Sequence, residues 1–194
     1  MDTTDIKNKI ARSLLAGVLI GFGCIAYVLV ENHILGSFLF SLGLLTVILQ
    51  GAMLYTGRVG YATTWADVKN LVFIIVLNFI GIWLTCFLFS KYSGLALNTS
   101  SLMAAKMQET WYQALVKSIG CGVMMFIAVD NFKKHSNAIT VILPIMCFIL
   151  CGFEHCIADY GYMAMDGRFF VWQLPVWIVG NAIGSQIIYW LSRL

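Results

Sequence analysis

The sequence predicts an all-α polytopic membrane protein: six transmembrane helices forming a 3+3 inverted repeat, aquaporin-like in plan, with helices two and five interrupted. Three observations predict it. Of 194 residues, 60% are hydrophobic and only 11% charged, against about a quarter charged in a soluble domain. Stretches free of Asp, Glu, Lys and Arg cover 13–30, 32–57, 70–90, 135–153 and 169–192. Each approaches the roughly 20 residues a helix needs to cross a bilayer core. Polar, Gly-containing breaks then fall at similar places in two successive halves.

The first span follows the polar leader "MDTTDIKNKIAR". No small-residue cleavage pattern precedes the second span, so the first reads as a retained helix rather than a signal peptide. The second span begins at Gly36, stays apolar to Leu54 and meets Thr56-Gly57-Arg58. The third, 70–90, carries Asn78 and Gly81. A fourth apolar segment, about 110–130, contains one charge, Lys117. The fifth runs through "ITVILPIMCFILC" into Gly152-Phe153-Glu154-His155, and the sixth carries Asn181 and Gly184. The chain thus reads as one membrane domain, 1–194, with repeats at 1–91 and 106–194.

Basic residues set the orientation. Lys7, Lys9, Arg12, Arg58, Lys69, Lys133, Lys134 and Arg193 fall on one side; Lys91, Lys106 and Arg168 fall on the other. Both termini are therefore expected in the cytoplasm, with the protein in the cell (inner) membrane. This asymmetry accounts for the net charge of +3 and gives no reason to expect nucleic acid. The six cysteines, at 24, 86, 121, 147, 151 and 156, all lie in apolar segments without a C-x-x-C pair. They read as buried, reduced thiols, although Cys147 and Cys151 share a helix face; no metal or cofactor is expected.

Unwound backbone inside a membrane needs protein or water around it. Gly-interrupted helices at matching positions of two halves point to a transport site near the midplane. The Asn-x-x-Gly pairs, Asn78/Gly81 and Asn181/Gly184, fit either that role or close helix packing. His155 ends a long apolar run, and an ionisable group at that depth is a functional candidate. Its near-neutral titration suits a weak acid, by donating a proton or a hydrogen bond. Glu154 reads as support for backbone or a neighbouring helix. His33 and His135 fall in loops. A membrane redox subunit would need facing histidines for haem, and an enzyme is not expected.

Several motifs together resemble the formate/nitrite transporter family. "GFEHCIAD" is similar to that family's "GFEHS-A-N", and "QGAMLYTGR" to its "AGAELFTGN". "ITVILPIMCF" resembles its "LP-AMF" helix, and "LPVWIVGNAIGS" its last helix, "P-T-GN-IGG". The matches cover all but the first helix. The resemblance implies a homopentamer in the lipid bilayer, each protomer with its own pore. It places His155 as the central pore histidine and Thr56 as the threonine facing it. Phe40, Leu44 and Phe148 take hydrophobic constriction positions, with Leu54 and Tyr55 beside the inner constriction. Lys106, sixteen residues before Gly122, takes the place of a vestibule lysine that concentrates anions.

The implied function is a channel or transporter for a small monovalent weak-acid anion such as formate, nitrite or hydrosulfide. The anion would cross as its neutral acid through protonation at the histidine. The alternative is a channel for a small neutral solute such as water, glycerol or ammonia. The chain departs from the family pattern at several positions. Gly122 and Arg58 each replace an asparagine, Met53 a glutamate, Cys156 a serine and Asp159 an asparagine; Lys117 has no counterpart. Arg58 therefore bears on anion preference or gating, and Asn78 and Asn181 on support.

Overall fold

The computed structural model describes residues 3–194. Its elements are α1 (Thr3–Leu29), α2 (His33–Leu49), a 3-10 turn (Val59–Tyr61), α3 (Trp65–Tyr92), α4 (Ser100–Met107), α5 (Trp111–His135), α6 (Ile139–Leu150), α7 (Cys156–Met165) and α8 (Gln173–Leu191). No strand occurs among the described residues. Four of these helices, α1, α3, α5 and α8, are long and apolar enough to cross a membrane. The shorter apolar helices α2 and α6 are those that end at the breaks. The expected first span extends back through the polar leader to Thr3.

Helix starts follow local chemistry. Asn32 accepts from the Ile34 and Leu35 amides, each at 3.0 Å, and caps α2. Thr64 with Asp67, and Thr110 with Gln113, form capping boxes at α3 and α5; these satisfy donors that a first turn leaves free. Along α3, Val72, Val76, Ile80, Leu84 and Leu88 are exposed, whereas Leu71, Ile74, Asn78, Ile82 and Thr85 are buried. An apolar stripe on the outer face at a four-residue spacing suits lipid or another protein surface, not water. Cys147 and Cys151 also lie exposed, so only four of the six thiols are buried; they occupy the outward face of α6 rather than the interior expected for them.

Both interrupted helices end in the same way. The Gly51 amide donates to Ile48 and the Ala52 amide to Val47; the Gly152 amide donates to Ile149 and the Phe153 amide to Phe148. Gly51 and Gly152 have φ of 60° and 66°, the left-handed conformation that this helix ending demands and that glycine adopts without strain. The backbone beyond each break is then held by an asparagine. Asn78 on α3 donates to the carbonyls of Ser13 (2.7 Å) and Met53 (2.8 Å) and accepts from the Tyr55 amide (2.8 Å). Asn181 on α8 donates to Ser118 and Glu154 (2.8 Å each) and accepts from the Cys156 amide (3.0 Å).

The matched bonds equate Met53 with Glu154, Leu54 with His155 and Tyr55 with Cys156. The helix crossings match as well. A Cβ at Gly17 would meet the Asn78 carbonyl at 2.2 Å, and one at Gly122 the Asn181 carbonyl at 2.3 Å. Gly81 and Gly184 face the Leu14 and Ile119 carbonyls just as closely, at 2.4 and 2.0 Å. These glycines let α3 approach α1, and α8 approach α5, near enough for the asparagines to reach across.

Candidate functional site

The two breaks meet at Thr56 and His155. Thr56 Oγ1 lies 2.8 Å from His155 Nε2, and both residues are almost fully buried, at 1% and 2% exposure. The Ala158 amide donates to His155 Nδ1 at 3.1 Å, making the ring the N-cap of α7. A backbone N–H can only donate, so Nδ1 must be the acceptor. The neutral ring therefore carries its hydrogen on Nε2, and this assignment rests on the bonding pattern. Nε2–H then donates toward Thr56.

Apolar side chains enclose this contact. The Phe148 ring stacks on His155 with centroids 5.7 Å apart and planes at 15°. Phe40 meets Phe148 edge-on at 6.0 Å. Leu44 and Leu54 are buried as well and line a cavity of about 540 Å³. That cavity also has Arg58, Lys133, Asp67 and Asn70 in its walls. Arg58 is exposed there, and the Lys133 ammonium lies 3.5 Å from the centre of the Tyr61 ring. Tyr55 is placed differently from its neighbour: its hydroxyl donates to the Ile178 carbonyl of α8 at 3.1 Å, and it is absent from the cavity wall.

On the other side of His155 sits a cluster that sequence reasoning only half saw. Lys106 lies near the end of α4, a helix with no clear signal in the sequence, and is buried. Its ammonium bonds directly to the Glu154 carboxylate and lies 3.0 Å from Asp159 Oδ1. The Trp177 ring is 5.9 Å away. Gln173 holds the end of α4 by donating to the Lys106 and Met107 carbonyls at 3.4 and 3.1 Å. Lys117, unplaced by the sequence, lies 2.5 Å from Glu109 Oε1. Burial raises the Glu109 carboxyl above the usual carboxylate range, and the Glu154 carboxylate adds to this. Asp159 belongs to the cluster because it follows His155 by one helical turn. That i, i+4 spacing from the histidine was the available signal. No group of three or more His, Cys, Asp or Glu with metal-binding geometry occurs among the described residues.

Long apolar helices around a pair of helix breaks that meet at a buried polar contact define a multi-pass membrane protein with a central polar site. The chain belongs to the formate/nitrite transporter family, whose model matches residues 2–193. It is 27% identical over 147 residues to the formate channel FocA of Haemophilus influenzae. That match covers 66% of this chain and 52% of the relative, so it spans about half the relative's length. Identity to the formate channel BtFdhC of Bacillus thuringiensis is 30% over 182 residues, 79% of this chain and 69% of that one. Two solved structures share the fold. One is a pentameric formate channel with formate bound: TM-score 0.81, 22% identity, covering 100% of this chain and 99% of that chain. The other is an FNT family ion channel: TM-score 0.85, 19% identity, 98% and 90% covered.

Proposed function

We propose that the protein is a channel or transporter for a small monovalent weak-acid anion of the formate, nitrite and hydrosulfide type. The observation that carries this reading is the buried Thr56–His155 contact, with Phe148 stacked on the histidine, Phe40 against Phe148, and Leu44 and Leu54 buried in the lining of the neighbouring cavity. A bare anion pays heavily to enter such an apolar constriction. One hydrogen-bond donor at its centre lowers that cost for a solute that can accept a bond, and crossing as the neutral acid lowers it further. His155 supplies the donor through Nε2–H, with Thr56 as its partner when no permeant is present. A neutral imidazole that gave up this hydrogen would become an imidazolate, so the role proposed for His155 is hydrogen bonding rather than supply of the acid proton. Arg58 and Lys133 in the wall of the large cavity attract anions toward Leu54. The six-crossing 3+3 plan, a homopentamer, the inner membrane and cytoplasmic termini complete the proposal. They are supported by the matched breaks, by the pentameric solved relative and by the distribution of basic residues.

Stopped-flow flux into proteoliposomes tests this directly. Formate, nitrite and hydrosulfide should cross faster as pH falls, with chloride and glycerol excluded. Glycerol passing as fast as formate would favour the neutral-solute channel.

A further inference from the structure

Charge around Lys106 does not balance. Two cations, Lys106 and Lys117, face three carboxylates, Glu109, Glu154 and Asp159. Lys117 accounts for Glu109 at 2.5 Å. Lys106 alone is left to serve both Glu154 and Asp159, and the three side chains are only 10%, 1% and 2% exposed. One ammonium contacting both carboxylates brings them close together. Two like charges sharing a dry site do not both ionise readily, and an uncompensated buried charge is expensive. A single proton on the pair restores neutrality.

Among the described residues, no other ion pair to Glu154 or Asp159 supplies the missing positive charge. The His155 ring is held neutral by its bond from Ala158. The thiols of Cys24, Cys121 and Cys156 and the phenols of Tyr27 and Tyr162 also lie near the cluster. On ionising, such groups add only negative charge.

A second observation marks the same place. Four buried side-chain atoms among the described residues have no hydrogen-bond partner in the protein: Glu109 Oε2, Asp159 Oδ2, Gln173 Oε1 and Trp177 Nε1. All four belong to residues tied to Lys106: by an ion pair at Asp159, by ring contact at Trp177, and by bonds to its backbone carbonyl at Gln173 and Glu109. Buried polar atoms are nearly always paired, so such a concentration points to a site that handles a proton or a small polar solute. A proton on Asp159 Oδ2 turns an orphan acceptor into a donor.

We propose that Glu154 and Asp159 share one proton beneath Lys106, and that a permeating weak-acid anion takes this proton beside His155. The inference rests on the weak-acid pore reading above. Glu154 immediately precedes His155, and the Asp159 amide donates to the His155 carbonyl at 2.9 Å. In the transfer, the carboxyl O–H bond breaks as a bond forms between the proton and the anion's basic atom. The pair is left as two carboxylates, the permeant moves on as its neutral acid, and a hydronium ion from the aqueous side reprotonates the pair and leaves water. Nothing is oxidised or reduced.

Infrared spectroscopy and flux on purified protein in lipid vesicles test the two parts separately. At neutral pH the wild type should show the C=O stretch of a protonated carboxyl. Asp159→Asn is near-isosteric and leaves Lys106 balanced by Glu154 alone, so that stretch should vanish. Glu154→Gln should remove it as well, by the same charge count. A wild type lacking the stretch, or an Asp159→Asn variant retaining it, overturns the shared proton. For formate flux, Asp159→Asn should lose on the order of a hundredfold at neutral pH, the scale of a positioned proton donor. It should recover at acid pH, where neutral acid arrives ready made. Unchanged flux, or the same fractional loss at every pH, overturns the transfer. A wild type with the stretch but no weak-acid flux overturns the pore reading and the transfer with it, while supporting the shared proton.

Discussion

At the first break the chain leaves α2 through Gly51 and runs through 52–54 without helical structure toward a three-residue 3-10 turn. At the second it leaves α6 through Gly152 and enters the ten-residue helix α7 directly after His155. The same two bonds end each helix, and the same asparagine bonds hold the backbone beyond. The side chains carried at equivalent points differ: Met53, Leu54 and Tyr55 on one side, Glu154, His155 and Cys156 on the other. At both breaks an asparagine from another helix holds the backbone while the break residues carry the chemistry, with His155 also capping α7 through its ring. Because Asn78 and Asn181 pair the exposed peptide groups, the break residues themselves are free to be apolar in one half and ionisable in the other.

The largest expected contrast lies in the charges beside the two breaks. Lys106→Met strands the buried negative charge that Lys106 balances on the Glu154–Asp159 pair and should cost about 3–5 kcal/mol. Arg58→Met, at an exposed site, should stay within ~0.5 kcal/mol. Thermal unfolding in detergent measures both, and similar losses would erase the distinction between a structural cation and a solvated one. Next come the asparagines. Asn78→Ala and Asn181→Ala each remove three hydrogen bonds and should each cost roughly 2–3 kcal/mol. If only one variant is destabilised, the two breaks are not equivalent in their support. The smallest effect concerns access. Arg58→Ala should slow formate entry about two- to threefold at low ionic strength and leave it unchanged at high salt, as screening requires. A salt-independent loss would give Arg58 a role other than attraction.

Much of this was legible in the sequence. Apolar run lengths located the apolar helices, and Gly-containing polar clusters located both breaks, because glycine and polar atoms inside an apolar run have few other uses. His155 stood out for the same reason. The repeat register was not legible. Thr56 and His155 look like counterparts in sequence, yet hydrogen bonds equate His155 with Leu54 and set Thr56 opposite it across the contact. Such equivalence depends on which amide an asparagine reaches from another helix, and no local pattern encodes that. Lys106 was legible as a residue but not as a buried one. Its burial is created by Glu154 and Asp159, which lie 48 and 53 residues farther along the chain. The helix α4 that carries it is only eight residues long, too short for periodicity to declare. Cys147 and Cys151 were misplaced because, in a membrane protein, an apolar segment does not tell its lipid-facing side from its interior one.

In the proposed mechanism His155 works as a neutral hydrogen-bond donor in the constriction. The pH dependence of formate flux through His155→Asn, compared with wild type, tests it most directly. Asparagine can still cap α7, so the helix start should survive. Flux should fall roughly tenfold at every pH, the cost of about one hydrogen bond, with the shape of the pH–flux curve retained. A curve that loses its pH dependence in His155→Asn would contradict the account and make His155 itself the source of the proton.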